Sequence, residues 1–230
     1  MEQQLERELK LLQIIKSSTT PLGANYLSEE LEIPIATVGR MLAKLEREKK
    51  LEKIANRGRQ LTGEGKKYLS SRLKRRDKLK TASNLIQLVE DKSKERLLEI
   101  LQVRKLIEVK AVELTTLLAK TKDINTLEEI LLDYTYEVKH GMSDSESDMR
   151  LHLSIAQMSG NATIAHVLKL LLVADNNYTL ITAAAGQTHE ERLKEHLDIV
   201  KGIKSRNAKR ATGAMSAHLD SLINHINQLS

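Results

Sequence analysis

The stretch IPIATVGRMLAKLEREKKLEKIANRGRQLT, residues 33–62, decides the fold of the first part of the chain. Its first half places Val38, Leu42 and Leu45 on one face of a helix and leaves basic side chains on the other faces. Its second half predicts two short strands joined by a turn that Gly58 supports. A short basic helix followed by an arginine-bearing hairpin is typical of a winged helix-turn-helix.

Two further helices are predicted before this stretch. Helical periodicity runs from about Glu2 to Ser18 and ends at SSTTPLG, where Pro21 and Gly23 interrupt it. The segment ANYLSEELE predicts a short second helix, and Pro34 moves the preceding residue out of the helical region. Small three-helix units also serve as protein-interaction modules, but the basic third helix and the arginine-bearing hairpin favour DNA.

Charge is unevenly distributed along the 230 residues. Residues 1–80 carry 19 Lys and Arg against 11 Asp and Glu, and the remainder carries 18 against 20. A basic segment of domain size is expected of a protein that neutralises phosphates, although a solvated basic surface has the same composition. The chain has no cysteine, which excludes disulfides and thiolate metal sites.

The sequence also predicts where the protein resides. No run of about 18 uninterrupted apolar residues occurs, and the N-terminal MEQQLERELKLLQIIK alternates charged and aliphatic residues. We therefore expect a soluble, cytoplasmic protein without a membrane partner.

The predicted third helix and hairpin supply the candidate contacts with double-stranded operator DNA. Helix residues are expected near base edges in the major groove, and arginines of the hairpin near phosphates or in the minor groove. The candidate DNA-binding residues are Thr37, Arg40, Lys44, Arg57 and Arg59. The basic helix KKYLSSRLKRRDKLK that follows is either a solvated linker or a second contact with the DNA backbone.

From Asn84 onward only helical patterns are found. They are separated by short breaks at residues 122–123, 140–141, 160–161, 186–187 and 205–207. The predicted fold is therefore mainly α: an N-terminal winged helix-turn-helix of three helices and a small β-hairpin, followed by an all-α antiparallel helical bundle. The predicted domains are 1–70 for DNA binding, 71–92 as a basic helical linker, and 93–230 as the bundle.

Within the bundle, SDMRLHLSIAQMSGN places Asp148 and His152 four residues apart on one helical face. Two of the last predicted helices contribute His196 and His218. One carboxylate and three imidazoles suit a divalent metal ion, with zinc expected first and nickel, manganese or iron as alternatives. A hydrogen-bonded structural role is the alternative for any single histidine. We predict only this structural role for the other four histidines, His140, His166, His189 and His225.

These residues resemble the FCD domain of the FadR branch of GntR-type regulators, across roughly residues 97–226. The acid, three residues, histidine and later Gly-Asn of that family correspond to Asp148, His152 and Asn161. The segment EHLDIVKGIKSRNAKRATGAMSAHL is similar to the closing helix pair that carries the other two histidines. VRKLIEVKAVELT is similar to the first bundle helix, which brings Arg104 near the effector.

The resemblance implies a homodimeric transcription regulator. Its bundle would hold a metal through Asp148, His152, His196 and His218 and bind a small organic acid, with Arg104 and Asn161 as effector-binding residues. The N-terminal half departs from the GntR pattern, because IPIATVGRMLAKLE stands where that family has a Ser-Arg-Thr-Pro-Val-Arg type of run. We therefore expect an FCD domain joined to a different class of winged helix.

Two other functions are compatible with the metal-ligand pattern and are weighed against regulation. A metal-dependent hydrolase with an accessory DNA-binding domain could use the same ligands, but there is no HExxH motif and no well-placed general base. An interaction protein with structural histidines would bind no metal. The sequence favours a regulator that is not an enzyme.

Overall fold

A computed structural model describes residues 2–173 and 188–228. The chain divides into two compact units, Met1–Ser83 and Asn84–Ser230, and the division falls within one helix. The described residues are almost entirely helical apart from one two-stranded antiparallel sheet. This confirms the predicted winged helix-turn-helix followed by a helical bundle. Within the described ranges, no helix is both long and apolar enough to cross a membrane.

The first unit is the winged helix-turn-helix. Its elements are α1 (Glu2–Ser17), α2 (Ala24–Leu31), α3 (Ile35–Arg47), β1 (Leu51–Ile54), β2 (Gly58–Leu61) and the start of α4 (Gly63–Glu90). Val38, Leu42 and Leu45 are buried in one aliphatic core, as their spacing predicted. The α2 helix ends at Leu31, and its C-cap residue Glu32 adopts a left-handed conformation with φ 53°, directly before the Ile-Pro pair that precedes α3.

The hairpin is held to the rest of the first unit by backbone hydrogen bonds. Leu51 pairs with Leu61 at the base of the two strands, and both are buried. Leu22 forms an isolated bridge with Arg59, with N···O distances of 3.0 and 2.8 Å. Gly58 allows this approach: its φ is +129°, and a Cβ there would lie 2.4 Å from the carbonyl of Leu22. The glycine therefore fixes the position of the hairpin.

The second unit contains six helices within the described residues, in addition to the end of α4. They are α5 (Lys94–Leu118), α6 (Thr121–Lys139), α7 (Ser145–Met158), α8 (Ala162–Val173), α9 (His189–Lys204) and α10 (Ala208–Gln228). Their buried side chains form one mainly aliphatic core. The break predicted at residues 186–187 lies outside the described residues.

The helices α9 and α10 approach closely at one glycine. A Cβ on the buried Gly202 would lie 2.6 Å from Cα and 2.8 Å from Cβ of Ala211 on α10. By contrast, a Cβ on Gly213, an exposed residue of α10, would meet nothing within 4 Å. The first glycine is therefore required by packing, and the second is not.

We expect Gly202→Ala to destabilise the protein and Gly213→Ala to leave it equally or more stable. The first substitution forces α9 and α10 apart, at a cost of about 1–3 kcal/mol. The second removes backbone freedom from the unfolded chain and should stabilise by about 0.5–1 kcal/mol. Urea denaturation of both variants measures this difference. Equal free energies of unfolding would contradict the close packing at Gly202.

Candidate metal centre and DNA-binding surface

The structure brings the four predicted metal ligands together in the interior of the second unit. The α7 helix contributes Asp148 and His152 from the same face, α9 contributes His196, and α10 contributes His218. Each of the four residues is at most 1% exposed. The three histidines can each direct one ring nitrogen to a common point, because those nitrogens lie within 4.8 Å of one another. The cluster therefore requires the tertiary packing of three helices.

Distances within the cluster suit the ligands of one metal ion. Oδ1 of Asp148 lies 3.2 Å from Nε2 of His152 and 3.2 Å from Nε2 of His196, and those two nitrogens are 3.1 Å apart. Atoms bound to one ion at about 2.0–2.2 Å are separated by about 3 Å. Nε2 of His218 is buried and has no hydrogen-bond partner among the described residues. The described residues therefore fit a bound divalent cation.

Two glutamates orient the imidazoles. Glu108 on α5 accepts a hydrogen bond from Nδ1 of His152. Glu195 accepts one from Nδ1 of His218 at 2.7 Å. A proton held on Nδ1 directs Nε2 into the cluster, where that nitrogen can bind a metal once it carries no proton of its own. This is the usual arrangement behind metal-binding histidines. Both glutamates thereby set the tautomer that can bind a metal.

Burial and neighbouring charges determine which groups are ionised. Burial lowers the pKa of His196 and His218 to about 3, so both rings are neutral at pH 7. Burial opposes a charge on His152, but Glu108 and Asp148 outweigh it and raise the pKa of that ring to about 9. The imidazoles hold the pKa of Asp148 far below its usual range despite burial. The carboxylate is therefore ionised within the cluster.

Arg104, one of the two predicted effector-binding residues, is linked to the cluster through Glu108. It is fully buried, and its Nε donates to Oε1 of Glu108 at 2.6 Å. Burial opposes ionisation of Glu108, but the charges of Arg104 and His152 outweigh it and lower its pKa to about 2. A continuous chain of contacts thus runs from Arg104 through Glu108 and His152 to Asp148.

The second predicted effector residue has a structural role in helix capping. Asn161 is exposed, and its Oδ1 accepts hydrogen bonds from the backbone of Thr163 at 3.1 Å and Ile164 at 3.2 Å. These contacts satisfy amides at the start of α8. The structure therefore explains Asn161 as a helix cap, and its contact with an effector stays a prediction.

The four remaining histidines make hydrogen bonds outside the cluster. His140 is the C-cap of α6, and His166 and His225 lie on α8 and α10; Nδ1 of each of these three lies 2.7–2.8 Å from the carbonyl four residues earlier. His189 contacts Asp144 at 2.7 Å. Asp144 also accepts hydrogen bonds from Arg192, and both residues are buried.

The predicted DNA-binding residues lie on α3 and the hairpin. Thr37, Arg40 and Lys44 line one groove of about 410 Å³ together with residues of α1. Arg40 is exposed and donates to Oγ1 of Thr37 at 3.3 Å. Arg57 is exposed at the tip of the hairpin.

Lys44 and Arg59 each contact a carboxylate inside the first unit. Nζ of Lys44 lies 2.7 Å from Oε2 of Glu8, and Nε of Arg59 lies 2.6 Å from Oε1 of Glu46. These two cations are therefore partly neutralised before any phosphate approaches.

Sequence reasoning missed the acidic partners of both sites. Glu108 follows Arg104 by four residues, so helical spacing offers a weak signal for that pair. The contact of Glu195 with His218 spans 23 residues and has no local signal. The partnership of Glu8 with Lys44 spans 36 residues and has no local signal.

Comparison with known proteins identifies both halves. The sequence profile of the FCD domain matches residues 99–221, more than half of the chain. The chain belongs to the FCD domain family of GntR-type regulators. The profile of the IclR helix-turn-helix domain matches residues 4–54, which confirms that the FCD domain is joined to a different class of winged helix.

Individual relatives agree with this assignment. The chain is 28% identical over 133 residues to the Uxu operon regulator of Haemophilus influenzae, covering 54% of this chain and 48% of that protein. It is 28% identical over 131 residues to the HTH-type transcriptional regulator LutR of Bacillus subtilis, covering 55% and 60%. The chain thus matches about half the length of one curated relative and three fifths of the other.

A solved structure supports the fold. E. coli McbR/YncC superposes with a TM-score of 0.53 at 17% identity, covering 97% of this chain and 96% of that one. The family that the profile identifies and both curated relatives are transcription regulators and not enzymes, and the two profiles assign this chain a helix-turn-helix and an FCD domain. These similarities favour regulation over the hydrolase alternative.

We expect Glu108→Ala to cost about 3–5 kcal/mol of stability, because it removes the carboxylate from a buried ion pair with Arg104. Glu113→Ala on the same helix is the matched control. It breaks a pair with Lys110 whose side chains are 43% and 52% exposed, and such pairs contribute less than about 1 kcal/mol. Urea denaturation of chelator-treated proteins compares the two variants. A similar loss in both would contradict the importance of the buried pair.

Proposed function

We propose that this chain is a ligand-responsive transcription regulator whose FCD domain binds one divalent metal ion. Asp148, His152, His196 and His218 would hold the ion. The observation that carries this proposal is the position of Oδ1 of Asp148 and two imidazole Nε2 atoms within 3.2 Å of one another in the interior. Zinc is the first candidate, with nickel, manganese or iron as alternatives, because the donor set is nitrogen-rich with one carboxylate.

We further propose that the effector is a small organic acid. A bound divalent ion would offer positive charge and an open coordination position to a carboxylate oxygen. Arg104 contributes a permanent positive charge behind the same cluster through its contact with Glu108. Effector binding would change the affinity for the operator only to the extent that the effector binds one of two states of the protein more tightly than the other.

The DNA-binding half is proposed to act through α3. The domains would be residues 1–70 and 93–230, joined by the linker 71–92. The protein would be a homodimer, and its two α3 helices would contact two half-sites of an operator. Thr37 and Arg40 would lie near base edges, and Arg57 near phosphates. The exposure of Arg40 and Arg57 supports this assignment, because each can reach DNA without breaking an ion pair that the structure shows.

Elemental analysis tests the metal centre. We expect the wild-type protein to contain about one divalent ion per chain and to lose thermal stability after treatment with EDTA, because a buried metal contributes directly to folding. His196→Ala should contain much less metal, and EDTA should no longer change its melting temperature. The matched control is His166→Ala, which removes an exposed imidazole of α8 and should retain the metal. Metal-free wild-type protein, even after incubation with Zn²⁺, would contradict the proposal.

Binding to a random-sequence duplex tests the DNA contacts. Arg57→Ala should weaken binding and reduce the slope of log affinity against log salt concentration by about 0.9, the effect of one lost phosphate contact. Lys110→Ala removes the same charge from an exposed position on α5 and should leave the slope unchanged. Fluorescence anisotropy at several salt concentrations measures both slopes. Equal slopes for the two variants would contradict a phosphate contact by Arg57.

A further inference from the structure

An acidic residue lies in the groove that presents the DNA-binding residues. Glu8 of α1 is 5% exposed and lines the same groove as Thr37, Arg40 and Lys44. A carboxylate at such a position opposes DNA binding, since phosphates carry the same charge. A role in strengthening DNA binding therefore does not explain why this carboxylate lies in the groove.

Glu8 is held by contacts from two helices and from the segment between α3 and β1. Its Oε2 accepts from Nζ of Lys44 on α3 at 2.7 Å, and its Oε1 accepts from the hydroxyl of Tyr68 on α4 at 3.0 Å. Nζ of Lys50 lies 3.8 Å from Oε1 and 3.6 Å above the ring of Tyr68. The carboxylate therefore has a fixed position and cannot turn away when DNA approaches.

We infer that Glu8 restrains Lys44 and keeps it from contacting phosphate, so that it limits the sequence-independent affinity of the domain for DNA. Glu8 is a positioning residue in this role. This role rests on DNA binding by the helix-turn-helix unit, and it lowers the affinity of that unit for DNA.

The exposure of Lys44 supports this role over a purely structural one. The side chain of Lys44 is 44% exposed, whereas that of Glu8 is 7% exposed. A lysine exposed to this degree on the DNA-facing side of α3 would release a counterion on binding a phosphate if it were not already paired. Glu8 supplies the nearer of two competing negative charges, at 2.7 Å from Nζ of Lys44 against 3.9 Å for Oε1 of Glu48. Lowered non-specific affinity favours a regulator that must distinguish its operator from the rest of the genome.

The test uses the full chain and a random-sequence DNA duplex, with anisotropy measured over a range of NaCl concentrations. Glu8→Gln keeps the shape of the side chain and one acceptor oxygen, and it removes the charge. We expect its affinity at 0.1 M salt to rise roughly fivefold to tenfold and its salt slope to steepen by about 0.9, because Lys44 becomes available to a phosphate. Thermal melting confirms that each variant is folded at the assay temperature.

Three further variants separate the inference from a general charge effect. Glu6→Gln makes the same charge change at an exposed position of α1 and should leave the slope unchanged. Lys44→Gln should change the wild-type slope little, but it should abolish the gain in a Glu8→Gln background. Glu8→Asp keeps the net charge and withdraws the carboxylate from Lys44, so it should steepen the slope even if Glu8→Gln fails to fold.

Each outcome has one meaning. Equal slopes for Glu8→Gln and Glu6→Gln, or a gain that persists without Lys44, would overturn the inference while leaving DNA binding intact. Lower melting temperatures with unchanged slopes would assign Glu8 a structural role only and would also overturn it. Absence of wild-type binding to the duplex at low salt would overturn the DNA contacts themselves.

Discussion

The second unit depends on an alternating series of buried charges. Arg104, Glu108, His152 and Asp148 follow one another through direct contacts, and each is at most 1% exposed. A single ion buried in this interior would be strongly unfavourable, so each group is tolerated only because its neighbour carries the opposite charge or can accept a proton. The aliphatic core from α5 to α10 can close around these groups for that reason.

This arrangement also explains why the cluster suits a metal ion. Asp148 is the only carboxylate among four proposed ligands, and without a cation its charge is balanced chiefly by a proton on His152. A divalent ion would take the place of that proton and would also engage His196 and His218, whose rings burial keeps neutral. Glu108 and Glu195 already hold the Nδ1 protons, so no tautomer would need to change.

The sequence predicted the elements better than the contacts between them. Periodicity identified α3 through Val38, Leu42 and Leu45, and the turn at Gly58 identified the hairpin, because both signals are local. The ligand set came from a resemblance in residue order, since spacing alone relates only Asp148 to His152. The partners of Lys44 and Arg59 could not be predicted, because their pairing depends on the packing of α1 and β2 against α3.

Carboxylates have opposite effects in the two units, and burial accounts for the difference. In the second unit, Glu108 and Glu195 are turned toward buried imidazoles, where they increase the capacity of the site for a cation. In the first unit, Glu8 is buried while its partner Lys44 is partly exposed, so the carboxylate reduces the charge that the surface presents to DNA. The same ion-pair chemistry thus strengthens one proposed binding site and weakens the other, and the exposure of the cationic partner decides which.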